Sequence, residues 1–182
     1  MLSFIINIIF VVLVLSGCGN SHDPSVKSSS NLLQPSVITS PDGKTETTTI
    51  VTPFGDLVAI GKKSDDSAPG YNYKVVSQGV VIETLPDAYL SVVGIFPLQD
   101  LEVVMIKTSS AGVNGCPGNF FFVVMSREKM PTRTDYFGNC NEDFEHSEEN
   151  GNVVIRIRSP IGDGSGVDEW EYDGKKLTQT KE

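Results

Sequence analysis

The chain has 182 residues, enough for one folded domain with short additional segments, and its 39% hydrophobic content excludes a wholly disordered protein. Its formal net charge at pH 7 is −9, from 14 basic and 23 acidic residues. Phosphate backbones repel an acidic chain that has no run of Lys or Arg, so we expect no nucleic-acid partner. The same charge either favours a basic protein partner or simply keeps the domain soluble.

The N-terminal segment carries the most specific motif of the chain. Residues 2–15 form an uncharged apolar run, shorter than the roughly 20 apolar residues of a membrane-spanning helix, which suits a secretory signal. The next residues, Leu15-Ser16-Gly17-Cys18, resemble the lipobox of bacterial lipoproteins at all four positions. The resemblance implies that residues 1–17 are a signal peptide and that acyl chains on Cys18, palmitate among them, hold the protein on a lipid bilayer. An ordinary signal or membrane anchor with a chance cysteine is the alternative.

The residues after Cys18 bear on location and on the distance from the membrane. An Asp in the place of Gly19 would resemble an inner-membrane retention signal, so we expect the outer membrane, facing the periplasm, if the source is Gram-negative. Residues 18–34 then form the lipidated cysteine and a leash of small and polar residues, for which a flexible coil is predicted. A segment that folds on a partner is the alternative. Residues 35–182 remain as a single domain.

Beyond the leash, short β-type runs alternate with turn residues. No stretch carries an apolar stripe at helical spacing, so we expect an all-β, antiparallel meander that forms a sandwich or barrel-like domain. The predicted strands cover residues 36–39, 44–52, 54–60, 73–76, 80–84, 88–96, 101–108, 120–126, 132–137, 143–149, 152–158, 167–172 and 175–180.

Two of these segments carry the strongest signals. Asn150-Gly151 predicts a tight hairpin, because both central residues of a type I′ turn need positive φ. In that hairpin Val153, Ile155 and Ile157 point to one face. The continuous apolar run 120–126 suits a strand that is buried on both faces.

Two cysteines, Cys116 and Cys140, remain after Cys18. In an exported chain a disulfide between them is the default, and it is expected to staple strands 120–126 and 132–137. A redox-active pair would need Cys-x-x-Cys spacing, which is absent. The segments 115–120 and 136–140 are similar to small exported proteobacterial proteins of unknown function over roughly the C-terminal half. That resemblance supports the β fold and the disulfide and implies no activity.

The search for catalytic or metal-binding groups gives little. Ser126-Arg127-Glu128-Lys129 matches the Ser-x-x-Lys motif of penicillin-binding enzymes and serine β-lactamases. Here, however, Ser126 ends a β run and the companion motifs are missing. His22 and His146 cannot supply a zinc site of ordinary spacing. We therefore predict no catalytic residue, no metal site and no cofactor.

Acidic residues are concentrated just before the Asn-Gly turn. Alternation along a strand places Asp143, Glu145 and Glu149 on one face. Such a face is either a solvated hairpin with an edge protected by charge or a docking site for a basic protein. The candidate partner-binding residues are Glu142, Asp143, Glu145, Glu148 and Glu149.

The general plan of lipid, leash, small β domain and disulfide is shared with immunity lipoproteins and lysozyme-inhibitor lipoproteins. The sequence therefore favours a membrane-anchored, non-enzymatic protein-binding module of the inhibitor or immunity type. A structural subunit of an envelope assembly is one alternative. A hydrolase whose site forms only in the fold is the other, and a pocket with convergent carboxylates would distinguish it.

Overall fold

A computed structural model of the chain describes residues 34–65, 67–110, 116–159 and 166–181. The predicted signal peptide, Cys18 and the leash up to residue 33 lie outside these ranges. Within them the structure is built from β-strands, turns and irregular segments, without a helix. Accordingly, the described ranges hold no helix of the length and apolarity that crossing a membrane requires.

The strands form two antiparallel sheets, and in both of them each strand pairs with its neighbour in sequence. This arrangement confirms the all-β antiparallel meander predicted from the sequence. The larger sheet contains β1 (Ser36–Thr39), β2 (Thr45–Thr52), β3 (Gly55–Lys62), β4 (Tyr71–Ser77), β5 (Val80–Leu98), β6 (Leu101–Ser110), β7 (Asn119–Ser126) and β8 (Thr132–Arg133). The smaller sheet contains β9 (Phe144–Glu149), β10 (Asn152–Arg158), β11 (Val167–Tyr172) and β12 (Leu177–Lys181).

The predicted Asn-Gly hairpin is confirmed by its backbone angles. Asn150 has φ 53° and Gly151 has φ 80°, both in the left-handed region that a type I′ turn requires. The turn joins β9 to β10 with Glu149 opposite Asn152. Its two-residue length therefore fixes the register of the whole hairpin.

Strand β5 differs from the prediction, which divided it into 80–84 and 88–96 at Pro86 and Asp87. The strand is continuous, and its first half pairs with β4 whereas its second half pairs with β6. Pairing passes from one neighbour to the other at Ala88, which lies opposite both Tyr71 and Ser110. Because the register shifts beside Pro86, its missing N–H interrupts no regular ladder.

The long β5 strand allows the larger sheet to bury one of its own faces. A first core cluster gathers side chains of β2, β3 and β4 together with side chains of β6 and β7, so the sheet curves round them. An ion pair between Arg133 Nε in β8 and Glu83 Oε2 in β5, without hydrogen-bond geometry, links the two parts of the curved sheet. We call β1–β4 with the first half of β5 the first layer, and the remainder of this sheet the middle layer.

A second core cluster lies between the middle layer and the smaller sheet, which is the third layer. Val103 and Met105 of β6 belong to this cluster, whereas Val104 and Ile106 belong to the first. The prediction that the apolar run beginning at Phe120 is buried on both faces is also confirmed, since Phe120 to Val123 are fully buried. The domain is thus a three-layer β structure whose middle layer supplies both cores.

The disulfide between Cys116 and Cys140 is present, with a Cα–Cα distance of 4.8 Å. The segment after β7 is less regular than predicted, because β8 ends at Arg133 instead of continuing to residue 137. Thr134 Oγ1 accepts the backbone N–H of Phe122, and a single bridge at Phe137 restores pairing with Phe120. The disulfide closes just beyond that bridge.

Side-chain amides beside the disulfide join the two sheets. Asn139 donates through Nδ2 to the carbonyl oxygen of Arg158 at 3.0 Å and to Asp168 Oδ2 at 2.9 Å. Asn141 Nδ2 donates to the same Arg158 carbonyl at 3.1 Å. The stapled segment therefore holds the C-terminal end of β10 and the N-terminal end of β11.

Candidate functional site on the outer face of the smaller sheet

The outer face of the smaller sheet is its side away from the core. Val153, Ile155 and Ile157 of β10 share one face, as predicted, and are completely buried, so the alternate residues of β10 and their cross-strand neighbours form the outer face. Its polar and charged residues, read from the strand registers and turn flanks, are Asp143, Glu145, Ser147, Glu149, Asn152, Arg156, Arg158, Glu169 and Glu171.

Arg156 lies at the centre of this face and connects three strands. Its Nη1 and Nη2 donate to the two carboxylate oxygens of Glu149 at 2.7 and 3.2 Å, and its Nε donates to Glu169 Oε2 at 2.8 Å. Ser147 Oγ donates to Glu149 Oε1 at 2.6 Å. A bidentate guanidinium–carboxylate pair has a fixed geometry, so these side chains form an ordered polar surface.

The network changes the titration of Glu149. Hydrogen bonds from Arg156 and then from Ser147 lower the pKa of Glu149 to about 2. The same pairing raises the pKa of Arg156 above its ordinary value, mainly because the guanidinium donates hydrogen bonds to Glu149. Both groups are therefore charged at any pH near neutrality.

The other predicted partner-binding residues occupy different surroundings. Asp143 Oδ2 lies 3.5 Å from Arg158 Nη1 at the exposed end of the hairpin, and Glu142 Oε1 forms a 2.7 Å salt bridge with Lys107 of the middle layer. Glu145 lies opposite Arg156 in the strand register. Glu148 belongs to the other face of β9, because it alternates with Glu149. The structure thus brings Asp143, Glu145 and Glu149 to one face and leaves Glu142 and Glu148 off it.

A shallow cleft of about 260 Å³ opens at one end of this face. Two arginines, Arg156 and Arg158, and two acidic residues, Asp143 and Glu145, line it. Val167 and Phe144 supply the apolar part of its lining. Counting the whole outer face, five carboxylates oppose two arginines, so the surface remains negative although several of its acids are paired.

The remaining sequence candidates lie elsewhere. No helix begins at Ser126: its Oγ accepts the backbone N–H of Lys129 at 3.1 Å, but the residues that follow form an irregular turn. His146 is exposed on β9, where its ring stands edge-on to the Phe96 ring with the two ring centroids 5.2 Å apart. In the parts of the chain that the structure describes, no three His, Cys, Asp or Glu residues are grouped so as to hold a metal ion.

Sequence reasoning missed the basic side of this surface. The Asn-Gly turn already implies that Glu145 and Arg156 lie opposite each other, because Glu149 pairs with Asn152. Glu169 and Glu171, which oppose Arg156 and Val154 from β11, had no comparable signal. Their positions depend on how the chain returns between Ser159 and Gly166.

Comparisons of this chain with protein-family models, with curated proteins and with solved structures found no match.

Proposed function

We propose that this protein is an exported lipoprotein, anchored through acyl chains on Cys18, whose β domain binds a basic protein without catalysing a reaction. The lipobox Leu15-Ser16-Gly17-Cys18 supports the anchor. The bond between Cys116 and Cys140 agrees with an oxidising compartment, since structural disulfides are rare in the reducing cytosol. The cell envelope is the location we infer, at the outer membrane on its periplasmic side if the source is Gram-negative.

The observation that carries the binding proposal is the ordered, negatively charged outer face of the smaller sheet. Complementary charge accelerates encounter and selects partners, whereas an ordered surface loses little side-chain entropy when it binds. Arg156 holds Glu149 and Glu169 in fixed positions, and Glu145 lies beside them in the register. This arrangement suits Lys or Arg side chains of a partner that approach the cleft near Asp143 and Glu145.

The anchor is tested by mass spectrometry of the mature protein recovered from the envelope of its source. We expect an N-terminal peptide that begins at Cys18 and carries the mass of the acyl groups. Cys18→Ala should remove the acyl mass while leaving the fold of the domain intact. A wild-type protein that retains residues 1–17, or a Cys18 without lipid, would contradict the anchor.

The binding proposal is tested by capturing envelope and secreted proteins on the oxidised domain, residues 19–182, at low and moderate salt. Glu145→Lys is the most informative variant, because Glu145 is exposed and makes neither of the contacts that order Arg156. We expect the variant to lose a basic partner that the wild type releases as salt rises. Glu128→Lys makes the same charge change in an exposed turn of the larger sheet and should retain that partner.

Equal capture by the Glu145→Lys and Glu128→Lys variants would remove the outer face from the proposal. Substituting Glu149 is less suitable, because the loss of Arg156's bidentate partner would disturb the surface itself. A salt-insensitive complex with envelope machinery would instead assign the protein to a structural assembly.

A further inference from the structure

The first layer also has a side that faces solvent, and aliphatic side chains lie on it among threonines, two lysines and Asp56. Cross-strand pairs place Ile38 opposite Thr47, which in turn lies opposite Ile60, and they place Val58 opposite Thr49 and Val76. Directly opposed residues in antiparallel strands share a face, so these side chains form one surface. We call it the apolar face and define it by Ile38, Val51, Val58, Ile60, Val76 and Val81.

Three of these six residues are highly exposed, whereas Val58, Ile60 and Val76 are half-buried. Ile38 is 66% exposed, Val51 is 60% exposed and Val81 is 55% exposed. A depression of about 320 Å³ lies between β3 and β4, lined by Ile60 and Val76 and by polar neighbours. A solvated sheet face normally carries polar residues at these positions, and a contiguous apolar patch marks an interaction surface.

Lysines flank the apolar face. Lys62 and Lys74 are exposed and lie on the same side of the sheet as the aliphatic residues. Among the residues that the strand registers place on this side, Asp56 is acidic. This surface is therefore slightly positive, although the whole chain carries a formal charge of −9. A basic, apolar surface on an acidic protein is complementary to a membrane that contains anionic lipids.

The position of β1 connects this face with the predicted anchor. The chain enters the domain at Ser36, which pairs with Thr49 at the edge of the apolar face. Eighteen positions separate Cys18 from Ser36, and a flexible leash of that length has a typical reach of about 21–25 Å. A leash this short gives an effective local concentration in the millimolar range, so even weak contacts with the surface become populated.

We propose that the apolar face is the surface on which the anchored domain lies against an anionic lipid bilayer. This inference rests on the proposed anchor at Cys18. In the docked state the aliphatic side chains contact the interfacial region and the lysines face the headgroups. Each lysine near an anionic surface multiplies the ratio of docked to undocked protein by about five, so Lys62 and Lys74 together contribute about 25-fold.

The experiment uses residues 18–182 with the disulfide intact, so that the thiol of Cys18 can be coupled to a maleimide lipid in vesicles of phosphatidylcholine and phosphatidylglycerol. Hydroxyl-radical footprinting then measures the exposure of individual side chains. We expect Val51 and Val81 to be oxidised several-fold more slowly on the vesicles than in solution. Met130, which is 72% exposed in the middle layer, should react equally in both.

A matched pair of double variants isolates the lysines. Lys62→Glu with Lys74→Glu should abolish the protection of Val51 and Val81. Lys175→Glu with Lys176→Glu makes the same charge change at the exposed turn between β11 and β12 and should leave the protection intact. Vesicles of phosphatidylcholine alone should give weak protection, because the headgroups then carry no net charge.

Two results would overturn the proposal. Unchanged oxidation of Val51 and Val81 on anionic vesicles would mean that the apolar face does not contact lipid. Equal protection in concentrated protein without vesicles would identify a second copy of the chain as the occupant. Because the coupling supplies the lipid chemically, the result does not depend on lipidation in cells. A missing natural lipid would therefore refute the anchor alone.

Discussion

Removal of the disulfide is the perturbation whose magnitude follows most directly from the structure. Cys116 and Cys140 are 24 positions apart, and closing a loop of that length restricts the unfolded chain by about 3.5 kcal/mol on the loop-entropy account. Cys140 is exposed and Cys116 only half-buried, so replacing both removes little buried apolar surface. We therefore expect Cys116→Ala with Cys140→Ala to lower the free energy of unfolding by about 3–3.5 kcal/mol.

The measurement is equilibrium unfolding in urea, monitored by the fluorescence of Trp170, which is buried in the second cluster. Wild-type protein reduced with dithiothreitol provides the control and should unfold at the same urea concentration as the double variant. Folded-state spectra of the two should also agree, because hydrogen bonds between Phe120 and Phe137 remain. A loss below about 1 kcal/mol would refute the reasoning, since the bond would then add no constraint beyond those already present in the unfolded state.

Three further predictions concern single residues of the fold. Phe122→Ala removes a fully buried ring whose centroid lies 5.0 Å from that of Phe137 and 5.3 Å from that of Tyr172. The free energy of unfolding in urea should fall by about 3–5 kcal/mol. Gly151→Ala should lower the free energy of unfolding by about 1 kcal/mol in the same assay, because alanine is strained at φ 80°. No atom lies within 4 Å of the added Cβ, so a much larger loss would contradict a purely backbone effect. Burial raises the pKa of Glu102, so the stability contributed by this residue should fall as pH rises through the ordinary Glu range, where the unfolded state ionises before the folded state. Glu102→Gln should therefore raise the melting temperature above that of the wild type by more at pH 7 than at pH 4. An equal difference between variant and wild type at both pH values would exclude the titration of Glu102 as the cause.

Local signals in the sequence were sufficient for the hairpins and for the buried strand. The Asn150-Gly151 turn defines β9 and β10, and the continuous apolar run from Phe120 identifies β7 as a strand covered on both sides. Both patterns involve residues that are close together in the sequence, so the hairpin and the buried strand can be predicted without knowing the tertiary structure.

The path of β5 and the layer arrangement could not be predicted in the same way. Pro86 normally interrupts a strand, and its tolerance depends on the change of pairing partner at Ala88. Likewise, the burial of one face of the larger sheet by its own first strands is a long-range effect with no local signature. The predicted strand 132–137 was too long, because the backbone N–H of Phe122 donates to the side-chain oxygen of Thr134 and not to a backbone carbonyl, which ends the regular pairing.

The candidate site was predictable only in part. Alternation correctly placed Asp143, Glu145 and Glu149 on one side of β9, and the turn register implied Arg156 opposite Glu145. The contribution of Glu169 depends on the pairing of β10 with β11, which are joined by a longer connection than the Asn-Gly turn. The register of two strands joined by such a connection is set by packing and not by the turn, so it could not be read from the sequence. Only in the fold do the acidic residues of β9 and β11 flank Arg156.

The middle layer has a consequence for how such a protein can diverge. Strands β6 and β7 are buried on both sides, so substitutions there disturb both clusters at once and are strongly constrained. The first and third layers lie on opposite sides of that constrained layer, and their solvent-facing side chains belong to neither core cluster. Selection can therefore remodel the charged surface around Arg156 for a new ligand while the opposite side, with Val51 and Val81, is conserved for a different task.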